Sequence, residues 1–190
     1  CYDYYEGREN RYGAGYLLDN TTLLHCTFTQ NNRHALYAKN CVLSYCQFNH
    51  NTGNGLVGEQ VTIDHSTAIG NSEKGMKLSN NSDIKYSSLN ENGYGGITLA
   101  NSKMTECTVS NNSFNDFGIT SSDSHITNSF VTNNSGGGVN SSRDIYINVN
   151  IANNDRSSYG AGVYTTTETQ FVNCNIVRNY NRYASNTASG

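Results

Sequence analysis

Apolar and polar positions alternate in short bursts along this chain, and the bursts recur. Residues 24–31 read Leu-His-Cys-Thr-Phe-Thr-Gln-Asn, and residues 44–51, 105–112, 127–134 and 172–179 have the same shape. In each, a small or sulfur-bearing residue and a larger apolar residue sit two apart, as Cys107 and Val109 do. An Asn follows three positions later, as Asn112 does. That spacing describes a short strand with alternate side chains inward, closed by a turn residue.

The closing Asn sets the period. Asn31, Asn51, Asn71, Asn92, Asn112, Asn134, Asn154 and Asn179 are separated by 20, 20, 21, 20, 22, 20 and 25 residues. A repeat this regular predicts a solenoid whose units stack on one another. Other columns keep the same register. A Gly-apolar or Ala-apolar step opens each unit, from Gly15-Tyr16 and Ala35-Leu36 to Gly138-Val139 and Gly162-Val163. A second column runs Leu23, Leu43, Ile63, Ile84, Met104, Ile126, Tyr146, Phe171. A third runs Phe28, Phe48, Ala68, Leu89, Val109, Val131, Ile151, Ile176.

The apolar spacing is two rather than three or four, and Gly or Asn interrupts every run, so helix is excluded. Strands this short, repeating in one direction, must pair in parallel. The pattern therefore predicts an all-β chain, a single-stranded parallel β-helix of about eight rungs of 20–25 residues. At ~4.8 Å per rung the stack is roughly 40 Å long. The Asn column is expected to form a side-chain ladder between rungs. Residues 1–11 lack the period and are read as an N-terminal cap or lead-in, residues 12–179 as the β-helix, and residues 180–190 as a polar tail or cut boundary. The largest insertion lies near Asp155–Gly160.

Composition refines this picture. Only 14% of residues are charged and the formal net charge is −3, so no basic field exists to attract nucleic acid. No apolar run approaches membrane-spanning length. The chain starts at Cys1 without a signal-peptide pattern, which reads as a mature form or a cut fragment. Cys26, Cys46, Cys107 and Cys174 share one repeat position, predicted to point inward as reduced thiols that act as small hydrophobes. Cys pairs lack Cys-x-x-Cys form, and His25, His34, His50, His65 and His125 lack ligand spacing, so no metal site is expected.

The pattern Gly-apolar-x-apolar followed by Ile-x-x-Cys-x-Phe-x-x-Asn over residues 12–179 resembles the right-handed parallel β-helices of the pectin-lyase-like superfamily. That resemblance implies a right-handed coil. It also implies a broad range of functions, from polysaccharide lyases, hydrolases and epimerases to phage tailspikes and adhesins. The hydrolase motifs Asn-Thr-Asp, Asp-Asp and Gly-His-Gly are absent, and the chain has no Pro for an Asp-Pro-His arrangement. Pectate lyases hold calcium with clustered acids. Here Asp and Glu are scattered, so neither calcium nor another cofactor is expected.

One column carries candidate chemistry. The residues preceding the Cys position are His25, Tyr45, His65, Tyr86, Glu106, Asn128, Asn148 and Asn173, expected at an exposed corner. Asp64 and Lys85 adjoin the strip in sequence. Side chains His25, Tyr45, Asp64, His65, Lys85 and Tyr86 form a candidate ligand-binding set, with aromatic rings to contact sugar. A His and a Tyr so placed can also act as base and acid on a uronic acid, which makes His25, Tyr45, His65 and Tyr86 the catalytic candidates of a lyase or C5-epimerase reading. The ordinary alternative is surface stacking that stabilises the corner. A hydroxyl-rich file, Thr27, Gln47, Thr67, Ser88, Thr108, resembles ice-binding arrays but is broken by Gln47, and Phe130 ends it. The expectation is a structural or recognition β-helix of a surface, secreted or phage-tail protein that contacts glycans. Its location is expected to be extracellular, on a cell surface or on a virion, and its assembly a homotrimer or larger.

Overall fold

The computed structural model describes residues 14–113, 116–157 and 160–181. The lead-in predicted at residues 1–11 lies outside them, as does most of the tail predicted at 180–190. Among the described residues there is no helix, and strands of two to four residues follow one another throughout. They assemble into three eight-stranded sheets, each taking one strand from every turn, and a two-stranded pair. All pairings are parallel. The chain is a β-helix of about eight turns, as its period predicts.

The register follows the columns. In the first sheet Leu36, Leu56, Met76, Ile97, Ile119 and Val139 stand on one another. In the second, Leu43, Ile63, Ile84, Met104, Ile126 and Tyr146 do so. In the third, Leu89, Val109, Val131 and Ile151 continue the file. These side chains are buried and form one continuous core. Phe28–Phe48 and Tyr146–Phe171 stack near its two ends, at 5.6 and 4.8 Å between centroids.

Three corners turn the chain, and all use one device. A residue with positive φ redirects the backbone, and the next residue points inward at the bend. At the first corner the positive-φ residues include Asn40, Gln60, Asn101, Asp123 and Arg143. At the second they are His25, Tyr45, His65, Tyr86, Glu106, Asn128, Asn148 and Asn173. At the third they include His50, Gly70, Glu91, Asn111, Asn133 and Asn153. The left-handed conformation costs an L-residue roughly 1–2 kcal/mol. Each corner offsets that cost with hydrogen bonds to the neighbouring rung.

The third corner holds the Asn ladder. Asn51 donates its main-chain N–H and its Nδ2 to Asn71 Oδ1, at 3.0 and 2.9 Å. Asn71 does the same to Asn92, Asn92 to Asn112, Asn112 to Asn134, and Asn134 to Asn154. Each amide also donates to a carbonyl of the rung before, as Asn92 Nδ2 does to Ala68 O at 2.9 Å. Ser takes the same part at the second corner, where Cys46 N–H donates to Ser66 Oγ and Cys107 N–H to Ser129 Oγ. Past the ladder, Tyr180–Asn181 pair in parallel with Asp155–Arg156.

Two substitutions test this frame. Val109 is fully buried in the third sheet, and Val109→Asp is expected to abolish folding. An unpaired buried charge costs an amount comparable to a whole domain's stability of about 5–15 kcal/mol. Circular dichroism reads the outcome, and a variant that melts with wild type would place Val109 outside. Asn92→Ala removes the acceptor of the Asn71 main-chain N–H and of one Asn71 Nδ2 hydrogen, together with the amide that donates to Ala68 O. It is expected to cost about 3 kcal/mol or more in urea unfolding.

Candidate functional site

The second corner joins the second and third sheets, and its exposed column is the predicted strip. Backbone bonding places the members one rung apart: Tyr45 N–H donates to Asp64 O, His65 N–H to Lys85 O, and Tyr86 N–H to Thr105 O. The rings of His25, Tyr45, His65 and Tyr86 stack in sequence. Successive centroids are 5.0, 4.9 and 4.9 Å apart, with interplanar angles of 26°, 15° and 26°. Tyr45 is 46% exposed and Tyr86 48%. The sequence expectation was that ring faces would meet a ligand. The stack instead lays face against face, so the strip presents mainly edges, with imidazole nitrogens and phenol hydroxyls at one per rung.

The flanking charges divide. Asp64 Oδ2 lies 2.9 Å from His65 Nδ1, close enough to pair with the imidazole when it is protonated. Lys85 stands beside Asp64 in register, yet its ammonium binds Asp83 Oδ2 at 2.9 Å. The Asp83 carboxylate raises the Lys85 pKa above its ordinary value. All six predicted residues thus sit on one patch, with Asp83 as a member that sequence reasoning missed. Beyond Glu106 the column changes character. Asn148 Nδ2 donates to Asn128 Oδ1 at 3.0 Å and Asn173 Nδ2 to Asn148 Oδ1 at 2.7 Å.

Three other groups were not foreseen. On the first sheet's outer face Tyr16 stacks on Tyr37 at 4.9 Å, and Tyr37 donates its hydroxyl to Glu59 at 2.9 Å. On the turns following the Asn ladder, His34, Asn54 and Glu73 are hydrogen-bonded in a row, and Lys74 reaches Asp116. Farther along, Arg156 lies over the Phe117 ring at 3.7 Å. The 22- and 25-residue spacings in the Asn period mark where the last two groups project, because the extra residues fall after Asn112 and Asn154. Among the described residues no group of three or more His, Cys, Asp and Glu side chains is arranged to hold a metal ion. Nor is any helix long and apolar enough to cross a membrane.

A stack of in-register parallel rungs carrying exposed corner columns defines a β-helix, and comparison assigns its kind. The family described as the right handed beta helix region matches residues 6–114. The chain therefore belongs to the right-handed β-helix family, and its fold is of the pectin-lyase-like type. No curated protein matches it. Among solved structures, pectate lyase Pel9A is 15% identical with a TM-score of 0.56, over 86% of this chain and 53% of that one. The mannuronan C-5 epimerase AlgE6 A-module of Azotobacter vinelandii is 15% identical with a TM-score of 0.43, over 87% and 52%. Tailspike protein 2 of Escherichia coli O157:H7 bacteriophage CAB120 is 13% identical with a TM-score of 0.41, over 82% and 34%. At these identities the likeness is one of fold. The chain spans about half the length of the pectate lyase it matches.

The thiols line the inner side of this corner and separate by position. Cys46 and Cys107 are buried, whereas Cys26 and Cys174, in the end rungs, are half-exposed. Uniform shielding of the four, expected from the repeat, therefore does not hold. Burial pushes the Cys107 thiol up to about 12, so it stays protonated and unreactive through mildly alkaline pH. Labelling with a thiol reagent is expected to modify Cys26 and Cys174 in the native protein, and Cys46 and Cys107 only after denaturation. Rapid native modification of Cys107 would show that the column opens.

Proposed function

We propose that this β-helix is a recognition rod that contacts glycans along the strip of His25, Tyr45, His65 and Tyr86, flanked by Asp64 and Lys85. One observation carries the reading. The turn requires only a residue that accepts positive φ, and Asn128, Asn148 and Asn173 meet that need in the same column. Tyr45 and Tyr86 adopt φ of 54° and 49° without the local side-chain bonding that eases Asn into this region. Conformational cost retained on exposed side chains is a mark of functional surface. The edges offer alternating imidazole and phenol groups with a carboxylate and an ammonium alongside. That mixture of donors and acceptors suits the hydroxyls of a polysaccharide lying along the rod. A rod of this kind fits an extracellular, cell-surface or virion setting, and assembly as a homotrimer or larger.

A second reading has its own support. Asp64 Oδ2 stands 2.9 Å from His65 Nδ1, and the Tyr45 and Tyr86 rings flank the imidazole with centroids 4.9 Å away. A base so placed next to a phenol is the pair a lyase or C5-epimerase needs to remove a proton from a uronic acid.

The test replaces His65 and Tyr86 by Asn, the residue of the downstream column. The double variant is expected to fold with a stability change of about 1 kcal/mol or less and to lose retention on a glycan array. Unchanged retention by the folded variant would remove the strip as a binding site. Incubating wild type with alginate and pectate separates the readings. Absorbance from unsaturated products, cut about a hundredfold or more by His65→Asn, would establish the enzymatic one.

A further inference from the structure

The turns after the Asn ladder carry a polar row, buried at Asn54 and partly exposed at His34 and Glu73, that the strip does not use. Asn54 is fully buried. Its Oδ1 accepts the Lys74 N–H at 3.1 Å, so its amide nitrogen must face the other way. There Nδ2 donates to Glu73 Oε2 at 2.6 Å and lies 3.1 Å from His34 Nδ1. The Asn54 main-chain N–H also donates to His34 Nδ1, at 2.9 Å. A ring nitrogen that accepts two N–H groups carries no proton, so the proton of neutral His34 is on Nε2. Gly53 closes the site, since a Cβ there would lie 2.5 Å from His34 Nδ1.

We propose that the His34–Asn54–Glu73 row is a proton-operated latch, which ties three successive turns together while His34 is neutral and releases them when Nδ1 takes up a proton. A protonated Nδ1 would point its N–H at two donors and leave the buried Asn54 N–H without a partner. Glu73 Oε2, 3.8 Å away, is the acceptor to which the ring would turn. The release stops at Lys74, whose ammonium is held independently by Asp116 Oδ2 at 2.5 Å and Tyr94 O at 3.0 Å.

The charged groups that face the ring oppose one another. Burial, the largest influence, lowers the His34 pKa below its ordinary value. The Glu73 carboxylate acts against that, while Lys77 and Arg33 add to it. An unfolded chain takes up this proton near the ordinary histidine value, ~6.5, and the folded chain only at lower pH. The latch's contribution is therefore whole above that value and is lost as pH falls below it toward the folded-state pKa.

Amide hydrogen exchange, expressed as protection factors, tests the latch on the intact chain. Between about pH 8 and about pH 5, protection at Asn54 is expected to fall by about tenfold per pH unit within the titration window. Protection at Asn92 and Asn112 in the ladder should hold. Nitrogen-15 spectra of the imidazole should show Nδ1 unprotonated at neutral pH. Glu73→Gln removes the anion that favours the protonated ring, so the midpoint should move to lower pH. His34→Gln should abolish the step. A proton on Nδ1 at neutral pH, protection at Asn54 indifferent to pH, a step that survives His34→Gln, or a midpoint unmoved by Glu73→Gln would each overturn the proposal.

Discussion

Everything in this molecule depends on how a parallel rung turns three corners without leaving buried backbone unpaired. A buried peptide group without a partner costs about as much as a lost hydrogen bond. The Asn ladder meets that demand at the third corner, where each buried side chain accepts two N–H groups from the adjacent rung and donates to two oxygens. Because the bonds run between rungs, each Asn is useful only if the next rung has one too. The chain must then repeat in strict register, and the apolar columns inherit that register. Like-on-like stacking in the core is a consequence of the corners as much as of the sheets.

This explains what the sequence discloses. Columns that repeat, such as Leu43, Ile63, Ile84 and Met104, are legible because each rung is a fresh sample of one environment. The exposed strip was legible for the same reason. Contacts specific to one rung escape a periodic reading. Tyr146 stands in an aliphatic column, yet its hydroxyl lies 2.6 Å from Ser121 Oγ. Ser121 in turn donates to Asp144, a buried carboxylate that also accepts Ser141 Oγ and the N–H groups of Ser124 and Ser142. Ser121 and Ser141 occupy places that Leu78 and Leu99 fill in earlier rungs. The phenol thus gains both room and partners, and burial holds its pKa well above the ordinary value. Volume and polarity compensate across two columns at once, which no single column shows.

The row of His34, Asn54 and Glu73 was illegible for a related reason. His34 drew notice only as a histidine without ligand spacing, and Asn54 lies outside the ladder column. Their meeting depends on Gly53, whose missing side chain lets one turn press on the one before. A glycine in a turn-rich sequence carries many meanings, and only coordinates select among them. The insertion after Asn112 was visible as two extra residues in the period, but that its Asp116 reaches back to Lys74 across two rungs was not.

Family and function separate at the same boundary. The right-handed β-helix assignment rests on features that every rung shares, and those features leave chemistry undecided. What distinguishes this chain lies where rungs differ. The second corner changes from His and Tyr to Glu and then Asn along one column while the backbone keeps the same positive φ. A fold that needed aromatic stacking at this corner would need it in the later rungs as well. The later rungs satisfy the turn with Asn side chains bonded to one another. The rings of the early rungs are therefore in excess of what the turn demands.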